Sequence, residues 1–289
     1  MPGKTNIEWT DFSWNPITGC TRVSPGCDNC YAFALHDKRH KAYLEGTNLP
    51  EQYAQPFTTV QLFPERLRLP FTWKKPRKIF VASMSDLLHK DVPDSHIRDL
   101  FRVMARVDRH VYQILTKRPS RLVNTSLTER ILDDMQSVTG RRTWPRHIWL
   151  GVSVENQDYT WRIGALQRIP APIRFLSCEP LLGPLDLSAH LVCCPSCGYP
   201  RSEYDGCGYC EEYPEVRGIS WVIAGSESGP GARPAQVDWY RSLRDQCQDA
   251  GVAFFLKQFA RNGHKIPLPE LDGKVWNEFP SLADGEVHP

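Results

Sequence analysis

Residues 147–156 read HIWLGVSVEN, an apolar, β-branched run that ends in the polar residues Ser153, Glu155 and Asn156. Short apolar runs of this kind are typical of buried strands in a parallel sheet. Similar strand candidates cover residues 13–18, 78–84, 110–116, 173–178, 219–225 and 252–258. Two intervening segments, 95–107 and 237–251, have the spacing of amphipathic helices. About seven β/α units predict an α/β fold, a full or partial TIM-like (β/α) barrel.

Polar residues stand directly after these strand candidates. In a parallel barrel such positions converge at the carboxyl ends of the strands, where active sites lie. Any one of them could instead cap a helix or form a turn. Because such residues recur after most of the strand candidates, we expect them to lie together at the mouth of the barrel. The candidates are Ser83, Ser85, Asp86, Thr116, Lys117, Arg118, Ser153, Glu155, Asn156, Cys178, Glu179, Ser226, Glu227, Lys257 and Gln258.

The composition is that of an ordinary globular protein, with 41% hydrophobic and 24% charged residues in a chain of 289. This length can bury a large core, and we expect one domain over residues 1–289 with an insertion. The first residues carry no apolar run that could serve as a signal peptide, and no run of eighteen apolar residues occurs. The sequence therefore predicts a cytoplasmic protein without a membrane partner.

Cysteines are the strongest chemical signal. Because the cytosol is reducing, closely spaced thiols there indicate metal binding more than disulfides. The segment TGCTRVSPGCDNCYA, residues 18–32, holds Cys20, Cys27 and Cys30. Three thiolates can bind three corners of a [4Fe-4S] cluster and leave the fourth iron open to a substrate or cofactor. The alternative is a zinc site completed by His36 or His40; the position of the loop after the first strand favours the cluster.

A second cysteine group lies in CCPSCGYPRSEYDGCGYC, residues 193–210. Its two CxxC pairs predict a structural zinc site in a ribbon-like loop inserted at residues 190–218. The ligands would be Cys194, Cys197, Cys207 and Cys210. Cys193 could replace Cys194, and a second iron-sulfur cluster is the alternative to zinc. Cys247, within a helical pattern, is expected in the core.

Seven segments, in order along nearly the whole chain, resemble the phage-associated, radical S-adenosylmethionine (SAM)-like family of phages and prophages. They are IEWTDFSWNPITGCTRVSPGCDNCYA (7–32), FVASMSDLLHKDVP (80–93), QILTKRP (113–119), WLGVSVEN (149–156), RFLSCEPLLGPLDL (174–187), WVIAGSESGPGARP (221–234) and FFLKQF (254–259). The resemblance implies a radical SAM barrel. The first gap between cysteines is longer here than in the usual CxxxCxxC motif, a departure that affects cluster geometry but not the number of ligands.

The resemblance also implies an activity. The open iron would chelate SAM, and a cluster reduced by an external donor such as a flavodoxin or ferredoxin would cleave it to a 5'-deoxyadenosyl radical. Implied cofactor contacts are Asn29, Tyr31, Ser83, Ser85, Asp86, Lys117, Ser153 and Glu155. Candidate catalytic residues are Lys117, Cys178, Glu179, Glu227 and Lys257. Cys178 could return a hydrogen atom to a product radical, although a lone cysteine after a buried strand is more often core packing.

The expected substrate is a hypermodified thymine in phage DNA, within the cytoplasm of the bacterial host. A radical enzyme could isomerise it by moving an amino acid linkage from nitrogen to carbon, and a base in a duplex would first have to be extruded. Basic segments at 73–78, 116–121 and 140–146 would contact the nucleic acid, and exposed aromatics such as Trp73, Trp144 and Trp161 would stack on its bases. The alternatives are a radical SAM enzyme that repairs pyrimidine lesions, of lyase type, and a non-enzymatic nucleic-acid-binding protein with two zinc ions.

Overall fold

The computed structural model describes residues 3–123, 125–191, 218–261 and 263–280. In chain order its strands are β1 (Phe12–Trp14), β2 (Ile17–Thr18), β3 (Gln61–Leu62), β4 (Lys78–Val81), β5 (Val111–Thr116), β6 (Ile148–Ser153), β7 (Arg174–Cys178), β8 (Trp221–Gly225), β9 (Ala253–Arg261), β10 (His264–Pro267), β11 (Glu270–Leu271) and β12 (Lys274–Val275). Its α-helices are α1 (Tyr31–Leu44), α2 (Leu69–Thr72), α3 (Asp94–Arg106), α4 (Ser126–Thr139), α5 (Trp161–Gln167), α6 (Ser188–Leu191) and α7 (Val237–Asp249).

The described strands form one main sheet of eight, in the order β1-β4-β5-β6-β7-β8-β9-β10. The strands from β1 to β9 in this sheet are parallel, and β10 pairs antiparallel with β9 at the edge. Helices lie in the connections between successive parallel strands, as in β/α units. The sheet runs between two edge strands, so the predicted barrel is confirmed in its partial form.

One strand prediction needs correction. The segment 13–18 was expected to be a single strand of the barrel, but only Phe12–Trp14 joins the main sheet. Ile17 and Thr18 form β2, which leaves this sheet and pairs antiparallel with β3. Pro16 lies between the two and has no N–H to donate to a ladder, so the strand ends there.

Alternation along the strands sorts their side chains onto two faces. Outward residues such as Ile114, Leu150 and Leu176 join a large core that also contains residues of α3, α4, α5 and α7. Inward residues form a separate aromatic cluster around Trp149, Phe175 and Trp221, with Trp9 from the N-terminal segment packed on it. The inner face is thus filled at the amino-terminal side of the strands.

Towards the carboxyl ends the inner face carries smaller residues. A Cβ on Gly151 would lie 2.4 Å from the Phe175 ring, so only glycine fits there. Ser153 and Ser177, in register on neighbouring strands, continue this face and line an open cavity. Small residues above a layer of large ones leave room for a ligand at the mouth of the barrel.

The predicted insertion at 190–218 falls almost entirely outside the described residues, and its zinc ligands Cys194, Cys197, Cys207 and Cys210 do so completely. Cys193 lies there as well. The described helices include none that is both long and apolar enough to cross a bilayer.

Candidate active site

A cavity of about 490 Å³ opens at the carboxyl ends of the parallel strands. Its wall combines the loop that carries the first cysteine group with the residues that follow β4, β5, β7, β8 and part of β9. The site residues predicted from the sequence that line it are Cys20, Cys27, Cys30, Asn29, Tyr31, Ser83, Ser85, Asp86, Thr116, Lys117, Arg118, Ser153, Glu179, Ser226, Glu227, Lys257 and Gln258. The fold therefore brings together segments that are far apart in the chain, as the positions after the strands predict.

Cys20, Cys27 and Cys30 are free thiols, each partly buried. The loop that carries them begins at Gly19, which has φ +91° and leaves no room for a Cβ because Thr59 O would lie 2.1 Å away. It ends at Cys30, which caps α1. Phe33 and Phe57 pack edge to face, and Cys20 and Cys30 contact this small apolar cluster. The three thiols thus share one loop and one cavity, and two of them, Cys20 and Cys30, also share this apolar cluster.

No group of three or more His, Cys, Asp or Glu side chains within the described ranges is close enough to bind a single metal ion. The histidines proposed to complete a zinc site are also engaged elsewhere: His36 Nε2 lies 2.9 Å from Gln55 O, and His40 Nδ1 lies 2.7 Å from Tyr53 O. A single zinc needs all its ligands within about 2.3 Å of one point. In a cluster each thiolate binds a different iron, so the donors stand farther apart.

Asp86 and Arg118 form the contact between the cysteine loop and the strand ends. Asp86 Oδ1 accepts hydrogen bonds from Leu88 N and Thr116 Oγ1, at 2.9 and 2.7 Å. Its Oδ2 accepts from Lys117 N at 3.0 Å and from Arg118 Nη1 at 2.8 Å. Both oxygens are occupied by donors of the protein itself. Asp86, expected as a cofactor contact, therefore acts in this structure as the residue that orients Arg118.

Burial and the nearby Asp86 carboxylate raise the pKa of the Cys20 thiol to about 11, although the guanidinium of Arg118 opposes the shift. Arg118 Nη1 lies 3.7 Å from Cys20 Sγ. The free thiol is therefore protonated at neutral pH, and a bound metal would have to displace its proton.

Glu155 does not line the cavity, contrary to its predicted role as a cofactor contact. It is fully buried behind the cysteine loop, where Oε2 accepts a hydrogen bond from Arg162 Nη1 at 2.7 Å. Its Oε1 accepts from Ser24 Oγ and lies 3.7 Å from Lys117 Nζ. A Cβ on Gly26 would approach the Glu155 side chain to 2.4 Å, so the loop needs glycine at that position to pack so closely.

Glu227 holds the other side of the loop. It accepts hydrogen bonds from Asn29 Nδ2 at 2.8 Å and from Arg233 N at 2.9 Å, and it pairs with the Arg233 guanidinium. Arg233 in turn donates to Pro25 O at 2.7 Å. Burial raises the pKa of Glu227, but the hydrogen bonds from Arg233 and Asn29 outweigh this and leave the pKa below its usual value. Glu227 is thus a carboxylate that fixes the loop.

The serines after β4 are also engaged. Ser85 Oγ donates to Gly19 O at 2.6 Å, and Ser83 Oγ donates to Asn15 Oδ1 at 3.1 Å. Tyr31 OH donates to Ser83 O at 2.6 Å while more than half of its side chain stays exposed at the mouth. Most of the residues expected to touch a cofactor therefore position the cysteine loop in this structure, and their cofactor contacts stay predictions.

Glu179 and Lys257 form a different kind of pair. Lys257 Nζ donates to Glu179 Oε1, and both side chains line the cavity while remaining largely buried. Glu179 also packs against Gly225, where a Cβ would lie 3.4 Å from its carboxyl carbon. Neither side chain has a hydrogen bond to the cysteine loop among the described contacts. This pair belongs to the part of the polar wall that does not hold the cysteine loop.

Cys178 lies on the opposite face of β7 from the cavity. It is fully buried in the outer core, and burial raises its pKa and that of Cys247. Its neighbours Ser177 and Glu179 line the cavity, as alternation along a strand requires. The prediction of a hydrogen-donating thiol at the mouth is therefore wrong in position, and the alternative of core packing describes its surroundings.

Of the features expected to contact nucleic acid, segment 116–121 contributes Lys117 and Arg118 to the cavity wall, and the others do not line it. Segments 73–78 and 140–146 lead into β4 and β6 at their amino ends, on the far side from the cavity. In segment 116–121 the three basic side chains are ion-paired, with Glu155, Asp86 and Asp94. Trp144 is buried and Trp73 partly buried, while Trp161 is exposed. The prediction of exposed aromatics is thus wrong for Trp144.

Four loop-anchoring residues carry roles that the sequence did not reveal: Ser24, Arg118, Arg162 and Arg233. Arg118 and Arg233 follow strands, which is a positional signal. The loop residues that these two arginines contact are distant in sequence: Cys20 is 98 residues from Arg118, and Pro25 is 208 residues from Arg233. Only the folded chain identifies such pairs.

A family model described as "Protein of unknown function (DUF5131)" matches residues 4–280. Among curated proteins, no relative matches the chain. Two similar solved structures are spore photoproduct lyase complexed with dinucleoside spore photoproduct and a point mutant of spore photoproduct lyase, with TM-scores of 0.44 and 0.43 and 10% identity each. Each alignment covers 86% of this chain, and 75% and 77% of the respective lyase chains.

Proposed function

Because the chain belongs to the DUF5131 family, whose description gives no activity, we propose a function from its site: the protein is a radical SAM enzyme. Cys20, Cys27 and Cys30 would hold a [4Fe-4S] cluster with one open iron. When bound, this cluster and SAM supply a carbon-centred radical that removes a hydrogen atom from substrate.

One observation carries the proposal. Three free thiols on a single loop line the cavity at the carboxyl ends of parallel strands, and that loop is fixed by side chains that follow β4, β5, β6 and β8. Three soft donors, without a fourth protein ligand among the described residues, suit a cluster with an open position better than a closed structural ion. The loop is held in place by the protein itself, which suits a site that must present a metal centre to substrate.

In this proposal the rest of the cavity wall binds the substrate. Ser153 and Ser177 offer hydroxyl groups, and the Glu179–Lys257 pair offers a carboxylate and an ammonium that bond mainly to each other. Below them the aromatic inner cluster closes the barrel and excludes water from that side. The residues at the mouth that remain accessible to a cofactor include Tyr31 and Asn29 beside the loop. A polar, partly desolvated chamber of this kind protects a reactive intermediate from solvent.

For the substrate we propose a hypermodified thymine of phage DNA, isomerised by transfer of an amino acid linkage from nitrogen to carbon. The support is the family resemblance of the sequence. A base in a duplex would have to be extruded from the helix to enter the cavity. In this proposal the enzyme works in the cytoplasm of the bacterial host with a flavodoxin or ferredoxin as electron donor, and Cys194, Cys197, Cys207 and Cys210 hold a structural zinc.

Anaerobic reconstitution with iron and sulfide, followed by dithionite and SAM, tests the chemistry. We expect a brown protein that forms 5'-deoxyadenosine. Cys27→Ala should abolish this product, while Cys247→Ala, a buried cysteine on the far side of the sheet, should retain it. Product formation by Cys27→Ala, or a colourless protein with zinc in the loop, would refute the cluster. Nucleoside analysis of phage DNA incubated with the active enzyme then tests the substrate.

A further inference from the structure

Arg118 reaches the cysteine loop from the end of β5, and each terminal N–H group of its guanidinium has an acceptor. Nη1 donates to Asp86 Oδ2 at 2.8 Å and to Cys20 Sγ at 3.7 Å. Nη2 donates to Thr21 O at 2.8 Å and to Thr21 Oγ1 at 3.0 Å. The four terminal N–H groups thus have four acceptors, and one of these acceptors is a sulfur of the cysteine loop.

The surroundings fix this geometry. Asp86 is itself held by Leu88, Thr116 and Lys117, and Arg118 N donates to Thr116 Oγ1 at 2.9 Å. Thr21 Oγ1 lies 2.8 Å from Nε2 of the buried His89. The Arg118 side chain is only 16% exposed. The planar Arg118 guanidinium is held by Asp86 and by Thr21. The N–H of Nη1 that faces Cys20 Sγ therefore has little freedom to turn away from the sulfur.

We infer that Arg118 tunes the reduction potential of the proposed cluster by donating an N–H···S hydrogen bond to the Cys20 thiolate. This inference rests on the proposed function. Reduction adds one negative charge to a cluster, and a positively charged donor at a ligand sulfur stabilises that form. Arg118 therefore raises the potential and makes the cluster easier to reduce. Because Asp86 neutralises the guanidinium at short range, the directed hydrogen bond contributes more than the net charge.

The test compares reconstituted wild type with Arg118→Gln, Arg118→Lys and a matched control, Arg121→Gln. Arg121 lies one turn further along, pairs with Asp94 at 2.8 Å and does not line the cavity. Iron and sulfide content per chain first establishes that each variant holds a cluster. A redox titration followed by electron paramagnetic resonance then gives the midpoint potential, and resonance Raman gives the Fe–S(Cys) stretching frequency.

At the wild-type midpoint we expect the reduced-to-oxidised ratio of Arg118→Gln to fall about tenfold, a shift of about 59 mV for one electron. The ratio for Arg118→Lys should lie between those of wild type and Arg118→Gln. The ratio for Arg121→Gln should match that of wild type. The Fe–S(Cys) frequency of Arg118→Gln should rise, because a sulfur without a donor binds iron more strongly. A purely structural role for Arg118 would leave the potential of an assembled cluster unchanged.

Equal potentials for Arg118→Gln and Arg121→Gln, each with a full cluster, would overturn the inference and leave the proposed function standing. If Arg118→Gln assembles no cluster, Arg118→Lys decides the matter: a wild-type potential in that variant, together with an Fe–S(Cys) frequency raised by loss of the donor, counts against the hydrogen bond. A wild type that takes up no cluster at all would overturn the proposed function, and this inference with it.

Discussion

Single buried residues keep the cysteine loop in its folded position. Glu155 is fully buried and Arg162 is 1% exposed, so their ion pair has no access to water. Glu155→Gln leaves Arg162 as an uncompensated buried charge, and removing one partner of a buried pair costs about 3–5 kcal/mol. We expect a loss of stability of that size by urea unfolding, together with faster proteolysis of the loop, because Ser24 loses its charged acceptor.

Glu129→Gln is the matched control. Glu129 also pairs with an arginine, Arg142, but both side chains are largely exposed. Surface pairs contribute little, so this variant should unfold at nearly the wild-type urea concentration. Equal destabilisation by the two substitutions would show that burial of Glu155 has no special effect.

Cys178 gives a second prediction at this scale. Burial raises the pKa of Cys178 and Cys247, so their reactive thiolates are scarce in the folded protein. With iodoacetamide at about pH 8, peptide mass spectrometry should find Cys27 and Cys30 labelled and both buried cysteines unlabelled until denaturant is added. Labelling of Cys178 in the folded protein at a rate similar to that of Cys27 would contradict its position in the outer core.

At the scale of elements, the turn from β2 into the cysteine loop depends on Gly19. Both Gly19 and Gly46 have positive φ, at +91° and +87°, but only at Gly19 would a Cβ meet backbone, 2.1 Å from Thr59 O. Gly46→Ala should lose about 1–2 kcal/mol from the left-handed backbone alone. Gly19→Ala should lose clearly more and bind less iron on reconstitution. Similar unfolding midpoints for the two variants would show that the backbone moves to relieve the contact between the new Cβ and Thr59 O.

The packing of α3 on α4 includes a buried carboxylate. Asp134 on α4 accepts from Arg98 at 2.7 and 2.9 Å and from Arg102 at 2.7 Å. Burial raises the pKa of Asp134, but these hydrogen bonds outweigh it and leave the pKa below the usual value of 3.8. The stabilisation is therefore present above pH 3.8 and is lost as the pH falls through the lower, folded-state pKa.

Asp134→Asn should accordingly cost about 1.5–3 kcal/mol at neutral pH, the contribution of a charged hydrogen bond. The difference from wild type should shrink as the pH falls below 3.8. Asp99→Asn, which removes an exposed partner of Arg102, is the control. Unfolding measured across this pH range checks the sign, and a difference that stays constant would contradict the linkage.

For the whole molecule, the direction of the strands determines where a nucleic acid can approach. Lys74 and Lys75 precede β4 and lie at its amino end, away from the cavity mouth. If DNA is bound at the mouth, reversing both charges in Lys74→Glu/Lys75→Glu should leave the DNA affinity and its salt dependence unchanged. Fluorescence anisotropy with a duplex and with single-stranded DNA measures both. A large loss of affinity would place the contact on the opposite end of the barrel.

The sequence by itself determined the order of the strands, the place of the mouth and the grouping of the cysteines. Short continuous apolar runs indicate buried strands, and polar residues at strand ends converge in a parallel sheet without any further information. The partners of the polar residues required the tertiary structure, because contacts such as Glu155 with Ser24 or Arg233 with Pro25 join positions that only the closed fold brings together. The same holds for Cys178, whose face of β7 depends on strand register, and for Ile17 and Thr18, which leave the barrel to pair with β3.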